Sequence, residues 1–533
     1  MTPSRKFRAA VALLPFAALA ACAVGPNYHT PTALPEAKQP FAEGQASTML
    51  SGQPLSAKWW EMYNDPALDR LIADAFAYNT DIRQAAANLH RARAALSEQK
   101  AGRLPTTSLS AGYDRVRVGA DSESGGTATT TGTTGTGTTG GTTGTGTGTG
   151  TAGTTGTVIG GTASHYDFNY FQAGFDASYE VDLFGRVTRS IEAARADTEA
   201  AKAALDGARI SIAAQVAQSY ADACGYAAQA DVARETAKLE GDTRDLTQRL
   251  LDAGRGTRRD VDQSAVLVEQ ANAQVPQLEG ERRAQLYALA ALTGRTPSEV
   301  DATAAQCRAV PKVTTVIPIG DGAALLARRP DVRQAERTLA GDTARIGIAT
   351  AALFPSVTLA GSATLGAPKL GSIGKSASFS YSLGPLISWS FPNIAVAEAQ
   401  IHEARGTAEG SLAAFQGTIL TALKESEQAL ATYAAALDQN IALGRAEAAA
   451  ADAEKLSRIR FDTGRDNFLN LLVSQQDLAQ AREALAQSDA AVADAQVSLF
   501  KALGGGWENA PPIAYASPGA EGGNKSVLGV SKP

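Results

Sequence analysis

The chain has 533 residues and a formal net charge of −6, so it has room for two or three ordinary domains but no basic surplus that would point to nucleic acid. It contains four histidines, His29, His90, His165 and His402, and three cysteines, Cys22, Cys224 and Cys307. They are scattered without metal spacing, and no phosphate loop or nucleophile motif accompanies them; the pattern argues against an enzyme and implies no cofactor or metal.

In chain order, Arg5, Lys6 and Arg8 precede an apolar stretch from Ala9 to Ala21 that is too short to span a bilayer. Residues 1–21 therefore read as a signal peptide. Leu19-Ala20-Ala21-Cys22 is the pattern of a lipoprotein signal cut before an acylated cysteine, which makes Cys22 the expected lipidation site and the start of a lipidated segment, residues 22–58. Ala23, where an aspartate is absent, resembles the signal for transfer to the outer membrane. Cys224 and Cys307 read as buried structural residues, and the sequence leaves open whether they pair.

The remainder is one unit written twice. Asp81-Ile82-Arg83-Gln84-Ala85 recurs as Asp331-Val332-Arg333-Gln334-Ala335, an offset of 250 (331 − 81) that also relates Pro105 to Pro355. Asp252-Ala253-Gly254 recurs as Asp462-Thr463-Gly464 at an offset of 210 (464 − 254), which also relates Gly294 to Gly504. The first copy spans residues 59–294 and the second 321–504, with an equatorial linker, 295–320, between them and a flexible tail, 505–533, after them. The shortening of the offset locates an insertion in the first copy, the Thr/Gly tract 125–157. It has too little apolar surface to offset its ordering entropy and is expected to be a flexible extracellular loop.

Each copy reads as helix, two strands, long helix, tight turn and returning helix. Strands are expected at about 104–118 and 166–184, then at 354–366 and 377–391. From Phe171 to Leu183 the odd positions are apolar or Ala, while the even positions run Gln172, Gly174, Asp176, Ser178, Glu180 and Asp182, a period of two without a slip. Val357, Leu359, Ala363 and Leu365 repeat that pattern, as do Phe379, Tyr381, Leu383 and Ile387. Strands of that length with one apolar and one polar face suit a membrane barrel, although a soluble antiparallel sheet shares the pattern. Four strands cannot close a barrel, so several chains must contribute: three give twelve strands and a water-filled pore, two give a barrel with little interior space.

The spans from Arg186 to Ala253 and from Ile394 to Thr463 contain no proline and predict helices on the order of 100 Å long. Apolar residues recur every three or four positions, as in Leu205, Ile212, Val216 and Tyr220 or Leu412, Phe415, Ile419, Leu423 and Leu430. Breaks are expected near Gly207, Gly225 and Gly241 and near Gly406, Gly410 and Gly417. The helices should reverse at tips near residues 254–258 and 464–467, where Gly254 and Gly464 supply left-handed caps.

These blocks resemble the outer-membrane factor (TolC-like) family, in particular its NodT-type lipoprotein branch working with RND efflux pumps. The resemblance rests on Cys22-Ala23-Val24-Gly25-Pro26-Asn27-Tyr28 and on Trp59-Trp60 with Asp65-Pro66. It continues through Tyr179-Glu180-Val181-Asp182-Leu183-Phe184-Gly185, Arg328-Arg329-Pro330-Asp331-Val332, Phe354-Pro355-Ser356 and Gly384-Pro385, in order, to about Gly504. It implies a membrane α/β fold: a homotrimeric channel whose twelve-stranded transmembrane β-barrel, four strands per chain, continues into a long periplasmic α-helical barrel. It further implies an outer-membrane location, contact with outer-membrane lipid, and as partners a periplasmic adaptor and an inner-membrane RND pump.

By the same resemblance, Phe461, Asp466, Asn467 and Leu469 belong to the hairpin that narrows the periplasmic entrance, with Leu469 at the apolar constriction. Val473 and Gln476 stand where related channels carry an aspartate and an arginine, so the entrance is expected to be latched by something other than that pair. Arg258, Arg259, Asp260 and Asp262 of the first hairpin are candidates for tying neighbouring helices or meeting the adaptor, against the plainer reading of a solvated charged turn. Three other functions fit parts of the pattern: an exit duct for ABC-driven protein secretion, a structural periplasmic coiled-coil lipoprotein with a soluble sheet, and an adhesin displaying the Thr/Gly tract.

Overall fold

The computed structural model describes residues 23–31, 40–43, 50–53, 55–119, 165–389, 391, 394–508 and 510–511. The expected leader, Cys22, the Thr/Gly tract and residues 512–533 lie outside the described residues. In chain order the elements are β1 (Leu50–Ser51), α1 (Pro66–Tyr78), α2 (Thr80–Ala101), β2 (Thr106–Gly119), β3 (His165–Val181), α3 (Arg186–Asp252) and α4 (Arg258–Leu292). There follow β4 (Ile317–Pro318), α5 (Gly322–Arg328), α6 (Pro330–Ala351), β5 (Ser356–Ala367), β6 (Phe379–Ser388), α7 (Ile394–Asp462) and α8 (Phe468–Ala502). The chain divides into a strand unit, Gly102–Val181 with Ser356–Ser388, and a helical unit made of the rest.

The strand unit is one antiparallel sheet in the order β2-β3-β5-β6. Its register pairs odd positions with odd throughout: Leu109 with Phe175, Tyr179 with Leu359, Val357 with Ile387 and Leu365 with Phe379. One face therefore carries most of the apolar residues of the four strands, and the other, apart from Val116, Phe168, Tyr170 and Leu386 among the described side chains, carries small and polar residues with hydroxyls joined across strands, such as Ser362 to Ser382 at 2.8 Å and Thr364 to Ser380 at 2.7 Å. The apolar face is bare, with Leu109 83%, Tyr381 77% and Leu383 75% exposed, which is not the covered face that a soluble sheet requires. Near the Gly119 and His165 ends of β2 and β3 this face changes character, where Tyr113 donates to Asn169 at 2.9 Å and Arg115 pairs with Asp167 at 3.3 Å.

The strands are shorter than expected at two ends. β3 stops at Val181 because the Asp182 carboxylate turns back to accept from the backbone N–H groups of Val187 and Thr188, at 3.0 and 2.8 Å, at the start of α3. β6 stops at Ser388, and Trp389 and Phe391 instead pack against each other with tilted rings, their centroids 5.2 Å apart.

In the helical unit α3 and α7 run 67 and 69 residues. No described helix is long and apolar enough to cross a membrane. Along α3 pack first α2 and then α4; along α7 pack first α6 and then α8; α3 joins the two repeats by packing on both α6 and α8. The six glycines expected to break these helices lie within continuous helix. A mid-helix glycine costs only about 1 kcal/mol relative to alanine, and at Gly225 the missing side chain admits α8, since a Cβ there would lie 3.1 Å from that of Ala490.

The duplication is visible where the returning helices end. Asn79 accepts from the N–H groups of Asp81 and Ile82 at the head of α2 and donates its amide to the Leu292 carbonyl at the end of α4, 2.9 Å away. Arg329, its counterpart 250 residues on, donates to the Ala502 carbonyl at the end of α8, also at 2.9 Å, and reaches Asp331 and Glu425. Around this level lies the main core, where Trp59 stacks on Phe500 at 4.8 Å among Leu68, Ile72, Ile82 and Leu499. The tail begins later than expected, because Gly505 and Gly506 are buried and Trp507 lies under the Arg333 guanidinium. At Gly505 a Cβ would lie 2.7 Å from the Leu55 side chain.

Cys224 in α3 and Cys307 in the linker form a disulfide. Cys224 is fully buried, whereas Cys307 is only half-buried, so the two are a linked pair and not separate buried thiols. The bond closes a loop of 83 residues and fastens the linker to α3 of the first repeat. Cys224→Ser is expected to lower stability by about 4 kcal/mol on loop-entropy grounds, read as a lower denaturation midpoint. The same loss should follow reduction of the parent protein and be absent on reduction of the variant.

Candidate functional site

The two hairpin tips are built alike. α3 closes with Arg255 N–H donating to the Leu250 carbonyl and Gly254 N–H to that of Leu251, at 2.8 and 2.9 Å. α7 closes with Arg465 to Arg460 and Gly464 to Phe461 at the same distances. Gly254 and Gly464 both have φ of +68°, the left-handed turn that lets the chain reverse. The next helix is then capped by a side chain: Thr257 and Asp260 form a reciprocal capping box on α4, and the Asn467 carbonyl accepts from Asn470 N–H at 2.9 Å on α8.

These bonds give the charged tip residues local roles. Asp260 is held in the capping box, and Arg258 pairs with Asp262 on its own helix at 3.3 Å with both side chains largely exposed. Arg259 is exposed. In the described contacts the four residues do not tie one helix of this chain to another. In the second tip Asp466 accepts from the Asn470 amide at 2.6 Å, from Asn467 N–H at 2.9 Å and from Arg460 at 3.2 Å. These partners, Asn470 foremost, hold its carboxyl below the ordinary aspartate range. Phe461 packs toward Phe468, with centroids 6.1 Å apart.

Leu469, Val473 and Gln476 recur at i, i+4 and i+7 and so share one face of α8. Leu469 and Val473 are exposed apolar residues, 53% and 47%. The neighbouring Gln475, which the sequence reading passed over, is buried and donates to the Thr243 hydroxyl at 2.8 Å. That bond joins α8 to α3, the second hairpin to the first, eleven residues from Gly464 on one side and eleven from Gly254 on the other, or about 16 Å along each helix. Its signal in the sequence was a polar residue in phase with Leu471 and Leu478, on the stripe that should be buried.

Between α3, α4 and α8 a cleft of about 650 Å³ opens, lined among others by Glu240, Gln274, Glu281, Gln476 and Glu483. Glu240 is only 5% exposed, one of its oxygens has no hydrogen-bond partner in the described structure, and burial pushes its carboxyl up to about 7. Among the described residues no group of three or more His, Cys, Asp and Glu side chains is placed to hold a metal ion.

A sheet with a bare apolar face, two unbroken helices of about 100 Å and paired hairpin tips define an outer-membrane efflux channel of TolC-like fold. The chain belongs to the outer membrane efflux protein family, whose model matches residues 71–295 and 323–505, one match per repeat. It is 29% identical to nodulation protein T of Rhizobium leguminosarum bv. viciae over 95% of both chains. It is 28% identical to the toluene efflux pump outer membrane protein TtgC of Pseudomonas putida, over 92% of this chain and 93% of that one. Among solved structures it resembles the outer-membrane channel OprN, with a TM-score of 0.78 and 31% identity over 91% of this chain and all of that one. Membership in this family of channels places the protein outside the enzymes.

Two consequences can be measured. The depressed Asp466 carboxyl contributes stability that is fully present above the ordinary aspartate value of about 3.9 and is lost as pH falls through its lower folded value. Asp466→Ala is therefore expected to speed hydrogen exchange at the amides of residues 467–470 at pH 7, with the parent matching it only in strong acid. Glu240 has the opposite sign: its cost is absent below the ordinary value of 4.5, grows as pH rises to about 7 and is constant above that. Glu240→Gln should raise the thermal midpoint at pH 8 and leave it unchanged at pH 4.

Proposed function

We propose that this channel is the exit duct of a tripartite RND-type efflux pump, working as a lipid-anchored homotrimer that passively conducts small toxic compounds from pump and adaptor to the exterior. The observation that supports it most is the sheet. β2 and β6 are its outer strands, and neither has a second neighbour among the described residues. Unpaired edges are not tolerated in hydrocarbon, so the sheet must close with other copies. Three copies give twelve strands, a tilted barrel with a water-filled interior, lipid against the odd-numbered face and hydroxyls toward the lumen.

The helical unit also favours packing against further copies. The hairpins line up in the order α4-α3-α8-α7, which leaves α4 and α7 as edges. Both carry exposed apolar side chains, Val266 and Tyr287 on α4 and Leu420, Ile441, Leu456 and Ile459 on α7, suited to packing against the next protomer. Leu469 and Val473 supply the apolar constriction of the entrance, with Asp466, Asn467 and Phe461 shaping the turn that carries them and Gln476 on the same face. Arg258, Arg259, Asp260 and Asp262 are placed at the other tip, where an adaptor would dock. The Gln475 to Thr243 bond serves as the latch between hairpins, in place of a charged pair. Cys22, acylated, anchors the chain in the outer membrane, and energy comes from the inner-membrane pump.

In planar bilayers the purified protein is expected to conduct at a low level as a cross-linkable trimer. Gln475→Ala removes one hydrogen bond worth about 1 kcal/mol and should shift the closed-to-open ratio about five-fold, seen as higher mean conductance. A protein that stays silent with both Gln475→Ala and Leu469→Ala in place, or that cross-links only as a dimer, would sink the reading.

A further inference from the structure

The segment directly behind Cys22 is bound to the helical unit as tightly as a ligand. Arg189, in the first turn of α3 and 3% exposed, spends its guanidinium on that segment. Its Nε donates to the Val24 carbonyl at 3.1 Å, and its Nη2 donates to the Gly25 carbonyl at 3.2 Å and to Asn27 Oδ1 at 2.9 Å. Its Nη1 is fixed by Glu192 at 2.8 Å. The Val24 N–H in turn donates to the Phe184 carbonyl at 3.2 Å.

Two close approaches complete the socket. Gly25, with φ of +89°, lies on Gly347 of α6 so closely that a Cβ would come within 2.5 Å of the Gly347 Cα. Gly185, with φ of +81°, lies under Ala23, and a Cβ there would come within 2.6 Å of the Ala23 Cα. Further along, the Tyr28 hydroxyl donates to Glu336 of α6 at 2.6 Å. A buried guanidinium with three acceptors on one short peptide gives up three charge-assisted hydrogen bonds if that peptide leaves.

We propose that Arg189 is the positioning residue of the anchor: it holds residues 23–27 as a rigid strut on α3 and α6, so that the point from which the chain runs on to the acylated cysteine is fixed on the protein. This rests on the lipid reading of Cys22 given above. Cys22 is bonded directly to Ala23, and consecutive Cα atoms lie about 3.8 Å apart, so no linker separates the acylated residue from the strut. A free linker would instead let the acyl group wander by about 5–6 Å times the square root of its length in residues. The strut therefore fixes where each protomer's helical unit stands relative to its own lipid anchor.

The test uses full-length protein in lipid nanodiscs with a nitroxide on Pro26→Cys, an exposed position on the strut, with lipidation read by mass spectrometry of the N-terminal peptide. The parent should give a broad, immobilised spectrum. Arg189→Ala should narrow it to that of a free chain end while far-UV circular dichroism and the Cys224–Cys307 bond are retained, and Arg189→Lys should fall between. Because loss of a buried arginine can unfold a protein, the pair Asn27→Ala and Tyr28→Phe, made on the strut alone, provides a second route and should narrow the spectrum with the helical unit untouched. A mobile parent spectrum, or an Arg189→Ala spectrum as broad as the parent's, overturns the proposal through the clamp. An unacylated Cys22 overturns it through the lipid reading on which it rests.

Discussion

A backbone N–H or carbonyl left without a partner in hydrocarbon costs several kcal/mol, and a sheet has a row of them along each edge. Among the described residues this chain contributes four strands to its sheet, too few to bend back on themselves, so the strand unit has no stable form in lipid as a single copy. Most of its other properties follow from that constraint. In the proposed assembly lipid covers the apolar odd-numbered face, water fills the lumen against the serines and threonines of the even-numbered face, and the bare apolar edges of α4 and α7 meet a neighbouring copy. What resembles an unfinished core in one chain would be the interface of that assembly.

Duplication lets one solution be used twice, with a difference that the packing explains. A helix that ends in the body of a protein leaves carbonyls to be satisfied. In the first repeat Asn79 meets one at Leu292, and its short amide is enough because Tyr78 and Gly294 bring the chains together, a Cβ on Gly294 lying 2.7 Å from the Tyr78 carbonyl oxygen. In the second repeat Arg329 meets Ala502 and must also bridge to Glu425 on α7, a reach that an amide lacks. The longer side chain thus ties three helices where the shorter ties two. Replacing Asn79 by arginine, or Arg329 by asparagine, would not be a neutral exchange even though the two positions correspond.

The sequence made legible whatever has a period. Two-residue alternation located β3, β5 and β6 and their apolar face, the 250 and 210 offsets located the repeats, and Gly254 and Gly464 located both tips, because each of these signals is local and every residue in it obeys one rule. Single long-range partners were not legible. Nothing in the chain near Cys224 points to Cys307, nothing near Arg189 points to Asn27, and the family pattern drew attention to Gln476 when Gln475 makes the bond between hairpins. Expected breaks at six glycines failed for a related reason. Helix propensity is a weak local term, and a helix packed along its whole length on its neighbours overrides it.

A latch made of neutral groups behaves differently from one made of charges. An aspartate and arginine pair weakens with salt and with acid, so its opening is coupled to the medium. The Gln475 amide and Thr243 hydroxyl do not titrate, and their bond is buried, so the medium has little hold on it. The bond is also a single one, worth about 1 kcal/mol net, so it holds the hairpins together only lightly. On the proposed reading the rest of the hold on the entrance comes from the apolar stripe around the pair, Leu471, Leu472 and Leu478, which only something that pries the helices apart would expose. That property suits a passive duct whose opening is decided by the partner that engages its tips.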